Sequence, residues 1–208
     1  AEIVGRITDA TGAVVPGGAW ETCMTINGSW GYNSGDAGWK ESRTLIRNLV
    51  DIAGKGGNYL LNVGPTAEGL IPPPSVERLG EMGTWLKENG QAIYGSRAGP
   101  FKRLPFQGRC TQKGGRLFLH LFERPVRGEV LVPMSNPVLR AFLLAAPGKA
   151  LKTRREKEGQ VILLPQTPWD PSATVVAVEI QGEARPLPWV SLIPQKPGGS
   201  IILKAETA

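Results

Sequence analysis

The sequence predicts an α/β segment followed by an all-β antiparallel sandwich, on three observations. From about Ala19 to Ser96, apolar residues alternate between strand and helix spacing. Beyond about Pro100 the helical spacing stops, and short β-branched and aromatic runs take over, bounded by turn residues. The 27 glycines and 18 prolines lie between apolar runs, so they mark turns and not disorder. The division falls near Gly95 to Phe101, giving one unit over residues 1–97 and a second over 98–208.

In order along the first unit, Glu21 to Ile26 reads as a short strand entering a loop rich in Gly, Ser and Asn, Asn27 to Gly38. From Lys40, Ile46, Leu49, Val50 and Ala53 fall on one helical face, and Lys55-Gly56-Gly57 closes the helix. Asn58 to Val63 is a strand ended by Gly64-Pro65. Pro72 to Ser75 open a second helix, whose buried side is Leu79, Met82, Leu86 and Ile93. Gly80 and Gly83 lower helix propensity there, which predicts close packing against a neighbour. In the second unit the expected strands are Arg116 to Phe122, Glu129 to Val132, Val138 to Leu144, Val161 to Leu164, Val175 to Ile180 and Ser200 to Lys204. Turns at Gly114-Gly115, Arg127-Gly128, Pro147-Gly148, Glu158-Gly159, Asp170-Pro171 and Gly198-Gly199 separate them.

Composition narrows the function classes. At 41% hydrophobic and 20% charged, the 208 residues are ordinary for a globular chain. No run of about 18 apolar residues is present, so no membrane-spanning helix is expected. Residues Ala1 to Gly5 show no secretory signal pattern. The missing initial Met and the start in mid-pattern predict a portion of a longer polypeptide. The net charge of +6 concentrates at Lys149, Lys152, Arg154, Arg155 and Lys157, but Glu156 and Glu158 interrupt the cluster and no aromatic residues interleave with it. That pattern predicts a solvated hairpin and no nucleic-acid partner. Cys23 and Cys110 form neither a metal spacing nor a disulfide framework, and they reveal no compartment. With His120 as the single histidine, a His-based metal site or a Ser-His triad within the chain is excluded.

The densest functional signal is Trp20 to Asn33, WETCMTINGSWGYN, with two Trp, one Tyr, one Glu and two Asn. Aromatic faces beside amides and carboxylates suit a sugar, whose C–H faces stack and whose hydroxyls need partners. The same residues would also serve as core aromatics and turn-forming amides.

Three long runs decide the reading: WETCMTINGSWGYN, LIRNLVDIAGKGGNYLLNVGPTAEGLIP and LGEMGTWLKENGQAIYG. They closely resemble glycoside hydrolase family 29, the α-L-fucosidases. The match is dense from about Trp20 to Gly95, and LLPQTPWDPSATVVAVEI resembles the family's C-terminal sandwich. The resemblance implies the C-terminal segment of a (β/α)8-like barrel followed by that sandwich. It implies retaining hydrolysis of terminal α-L-fucosides on glycans, by an Asp nucleophile and a separate acid/base carboxylate, with no metal or cofactor. The nucleophile motif and the fucose-binding histidines of the family lie N-terminal to the matched region, so the site is incomplete here. The implied partners are a fucosylated glycan and the remaining N-terminal barrel of the same enzyme; self-association stays open, and no membrane partner is expected. A non-catalytic carbohydrate-binding fragment with a structural barrel remnant is the alternative.

The resemblance also suggests residue roles. Glu21, beside Trp20, matches a glutamate resembling the proton donor in one branch, and Asp36 matches the loop position of the proton-donating glutamate in another. Glu21, read as ending a barrel strand where catalytic residues sit and flanked by Trp, is favoured over the shorter Asp36. Trp20, Trp30 and Tyr32 are expected to contact substrate, the last two as pocket wall or rim. Tyr59 matches an aromatic position near the fucose methyl group, and Met24 stands where some relatives carry a substrate-contacting arginine.

Overall fold

A computed structural model describes residues 3–4 and 20–188. The expected strand Ser200 to Lys204 lies outside these residues. The first unit is a three-stranded sheet with two helices. Strand β1 (Ile3–Val4) pairs antiparallel with β2 (Glu21–Thr25), and β2 pairs parallel with β3 (Asn58–Asn62), in register from Glu21↔Asn58 to Thr25↔Asn62. Helix α1 (Ser42–Gly54) makes the β2–β3 crossover, and α2 (Pro73–Asn89) follows β3, opening with prolines that need no N–H partner in the first turn. The Lys55 amide donates to Asp51 and Ile52 carbonyls, and Gly56, at φ 83°, adopts the left-handed conformation that ends α1.

Leu45, Ile46, Val50, Met82 and Trp85 are buried in one apolar cluster, with Leu49, Tyr59 and Leu61 packed against it. Two expected core residues lie elsewhere. Leu60 is 43% exposed because strand alternation turns it to the sheet face opposite the helices, and Leu79 is 41% exposed on the outer flank of α2. A Cβ built on Gly80 or Gly83 would meet no atom within 4 Å, so the close packing expected there is absent among the described residues.

The rest is antiparallel β. A five-stranded sheet runs β4-β5-β6-β11-β8: β4 (Arg97–Ala98), β5 (Gly108–Lys113), β6 (Arg116–Leu121), β8 (Val138–Leu143) and β11 (Thr174–Ile180). A three-stranded sheet runs β7-β10-β9: β7 (Glu129–Val132), β9 (Thr153–Glu156) and β10 (Gly159–Leu163). Leu117, Leu119, Leu121, Val176 and Val178 of the larger sheet share a second apolar cluster with Val130, Val132 and Ile162 of the smaller one. The larger sheet's other face gives Phe118, Phe142, Val175 and Ala177 to the helices' cluster. Arg47 of α1 ties the layers together. It donates to the carbonyls of Ser172 (3.0 Å), Pro171 (3.2 Å) and Phe122, pairs with Glu123 (2.9 Å) and lies over the Phe122 ring. The basic cluster forms the exposed β9–β10 hairpin, where Arg154 pairs with Glu129 and Glu156.

Candidate active site

Strands β2 and β3 run the same way, so their C-terminal ends, Thr25 and Asn62, lie side by side, and the Ile26 amide donates to the Asn62 carbonyl (3.3 Å). The loop from Asn27 to Trp39 rises from this end and is closed by short-range hydrogen bonds. The Lys40 ammonium reaches back to the carbonyls of Thr25 (2.6 Å) and Asn27 (2.8 Å) and to the Thr25 hydroxyl (3.2 Å). Its amide donates to the Ile26 carbonyl (2.9 Å), closing the loop at its neck. Asp36 is the inner anchor: it accepts from the Ser29 hydroxyl (2.7 Å) and the Gly38 amide (3.0 Å). The Ser29 hydrogen bond, then the Gly38 and Gly28 amides and Lys40, hold its carboxyl below the usual range. The Asn33 side chain accepts from the Gly35 amide (3.0 Å).

This bracing leaves Trp30 and Tyr32 about half exposed, at 46% and 52%. Behind them, a Cβ on Gly64 would stand 2.8 Å from the Gly31 carbonyl carbon and 2.9 Å from the Tyr32 nitrogen. The residue after β3 therefore has to be glycine for the loop to lie this close. An aromatic pair on a rigid loop, above the C-terminal ends of parallel strands, can offer flat faces to the C–H side of a sugar.

Trp20 and Glu21 are not part of this group. Glu21 is the first residue of β2, not its last, and the Trp20 ring covers Gly57 at the same end of the sheet. Five strand residues at about 3.3 Å each separate that end from the loop. The expectation that Glu21 ends a strand is thus corrected: chain direction puts it at the N-terminal edge, exposed, with its carboxylate 3.7 Å from the Cys23 thiol. Tyr59 is corrected likewise. Alternation along β3 turns its ring towards the helices, where burial pushes its phenol pKa up, while Leu60 takes the opposite face. Met24 also faces α1, its sulfur accepting from the Asn48 side chain (3.6 Å).

Sequence reasoning missed Thr25, Lys40 and Asn62 at the strand ends. The Asn62 side-chain oxygen is buried with no hydrogen-bond partner. The strand signal marked the position of Asn62, but nothing local announces Lys40 folding back fifteen residues. His120 is a core residue: its Nε2 lies 3.0 Å from the Thr111 hydroxyl, and burial holds its imidazole down at about 3. Among the described residues no three His, Cys, Asp or Glu side chains gather as a metal site.

Comparison with known proteins agrees with this arrangement. The family model described as Alpha-L-fucosidase matches residues 8–91. The tissue α-L-fucosidase of Homo sapiens is 35% identical over 169 residues, covering 76% of this chain and 35% of that protein. The plasma α-L-fucosidase of Rattus norvegicus is 50% identical over 80 residues, covering 36% of this chain and 17% of that protein. Among solved structures, α-L-fucosidase isoenzyme 1 from Paenibacillus thiaminolyticus superposes with a TM-score of 0.73 at 33% identity, over 85% of this chain and 42% of its own. The Thermotoga maritima α-fucosidase in complex with fucose gives 0.69 at 29% identity, over 78% and 40%. The chain spans only about a third of the human relative's length. Over that part, it belongs to the α-L-fucosidase family, glycoside hydrolase family 29.

Proposed function

We propose that the chain is part of a retaining exo-α-L-fucosidase acting on terminal α-L-fucosides of glycans. On this reading residues 1–97 supply the last strands of a (β/α) barrel and residues 98–208 a β-sandwich packed behind it. The nucleophilic Asp and the rest of the barrel come from elsewhere in the enzyme. The supporting observation is the braced loop that presents Trp30 and Tyr32 at the C-terminal ends of β2 and β3, the end where such barrels bind substrate.

Neither carboxylate here has the setting of a proton donor. A general acid needs a pKa raised towards neutrality, yet Asp36 is held down by its donors, and Glu21 stands at the far end of β2. The chain's role is therefore the pocket wall, with Asp36 as the loop's anchor and the acid/base outside these residues. The test is kinetics of the full-length enzyme on 4-nitrophenyl α-L-fucoside. Trp30→Ala and Tyr32→Ala should each lower kcat/KM by about 10-fold or more, as expected for a lost stacking face. Glu21→Gln should leave turnover nearly unchanged, and Asp36→Asn should weaken it without rescue by azide. Azide-rescued loss in either carboxylate variant would identify that residue as the acid/base and overturn the assignment. Unchanged kinetics in both aromatic variants would remove the pocket-wall role.

A further inference from the structure

Among the described residues β3 pairs only with β2, so one edge of this parallel strand carries unpaired backbone groups, and Leu60 opens beside it to solvent. The helix that follows β3 is similarly unfinished. Val76, 55% exposed, Leu79, Gly80 and Gly83 stand at i, i+3, i+4 and i+7, hence on one flank of α2, with open space over both glycines. Met82 and Trp85 on another side face the core, and Glu77, Glu81 and Glu88 mark the solvent side. An exposed parallel edge and an apolar, small-residue flank on the adjoining helix form one continuous seam.

We infer that this seam receives a further β–α unit of the same enzyme, its strand pairing parallel to β3 and its helix lying against Val76, Leu79, Gly80 and Gly83. The inference rests on the barrel reading above and specifies where the rest of the barrel joins. Continuity selects the occupant. The β2–β3 pair is parallel, with α1 and α2 packed together, and a right-handed crossover would set the next helix on that same side. A second copy of this chain across a two-fold axis would pair β3 antiparallel with itself and break that pattern. The two glycines allow the incoming helix a short interaxial distance. The chain covers 35% of its human relative, and the remaining length is ample for such units.

The test uses the full-length enzyme and amide hydrogen exchange, with activity measured in parallel. The outward-facing amides of β3 should exchange at least about 100-fold more slowly than in an exposed strand edge. Gly80→Leu together with Gly83→Leu should lower Tm by about 5 °C or more, from overpacking. Glu77→Leu with Glu81→Leu, on the solvent side, should change it little. Fast exchange at β3, or a glycine pair as silent as the glutamate pair, overturns the inference even in an active fucosidase. Protection at β3 without fucosidase activity leaves the seam standing and removes the proposed function. Protection that appears only with rising concentration of the 208-residue chain would make a second copy the occupant, which also overturns it.

Discussion

Replacing Gly64 by alanine adds one methyl group where two backbone segments nearly touch. Its carbon would stand 2.8 Å from the Gly31 carbonyl carbon and 2.9 Å from the Gly31 oxygen and the Tyr32 nitrogen. Ordinary carbon contacts are about 3.5 Å or longer, so the loop has to move outward by roughly 0.6 Å, and backbone cannot swing aside as a side chain can. Overpacking of this kind costs about 1–3 kcal/mol, or about 2–4 °C in Tm per kcal/mol at this size. Trp30 and Tyr32 sit on the displaced segment, so kcat/KM of the full-length enzyme should fall by about 10- to 100-fold. Gly31→Ala supplies the control. It makes the same substitution in the same loop, but its Cβ would meet no atom within 4 Å. Thermal denaturation and hydrolysis of 4-nitrophenyl α-L-fucoside measure the two effects. Should Gly64→Ala be as silent as Gly31→Ala in both, the link between the β3 terminus and the aromatic loop is refuted.

Other outcomes follow from the packing and the charges. Arg47→Ala removes a guanidinium shared by three carbonyls, Glu123 and the Phe122 ring, and should destabilise the fold by about 2–3 kcal/mol, read from urea denaturation. His120 carries the opposite pH signature from a surface histidine. Its folded pKa of about 3 lies below the ordinary 6.5, so the unfolded chain binds the extra proton. Stability should therefore be full above pH 6.5 and fall by up to about 1.4 kcal/mol per unit as pH drops towards 3. His120→Gln, in urea titrations across that window, should flatten this acid dependence.

The two helices and β3 were legible because the apolar spacing at Ile46, Val50 and Met82 survives folding unchanged. Facing was harder to read. Tyr59-Leu60-Leu61 is apolar throughout, so nothing in the run says that Tyr59 packs on the helices while Leu60 looks away. Three strands escaped notice for a related reason: β4 is only two residues long, Gly108–Lys113 is largely polar, and Thr153–Glu156 is a charged edge strand that packing and pairing alone hold extended. At the candidate site, the loop's turn chemistry at Asn33 and Asp36 could be anticipated from residue type and spacing. The misplacement of Glu21 came from adjacency to Trp20, where strand direction, five residues long, was the stronger constraint.

The five-stranded sheet has no water-facing side along its centre. Leu117, Leu119 and Leu121 of β6 point into one core, and Phe118 and His120, in between, point into the other. Evolution or engineering therefore cannot exchange the catalytic half of this region for another while keeping the β half as a spare module. A recombination crossover placed after residue 97 would strip the cover from one face of β6 and β11, and the hybrid would need a new helical layer matched to Phe118, Phe142 and Val175. The natural unit of inheritance here is the helices together with the sheet they rest on.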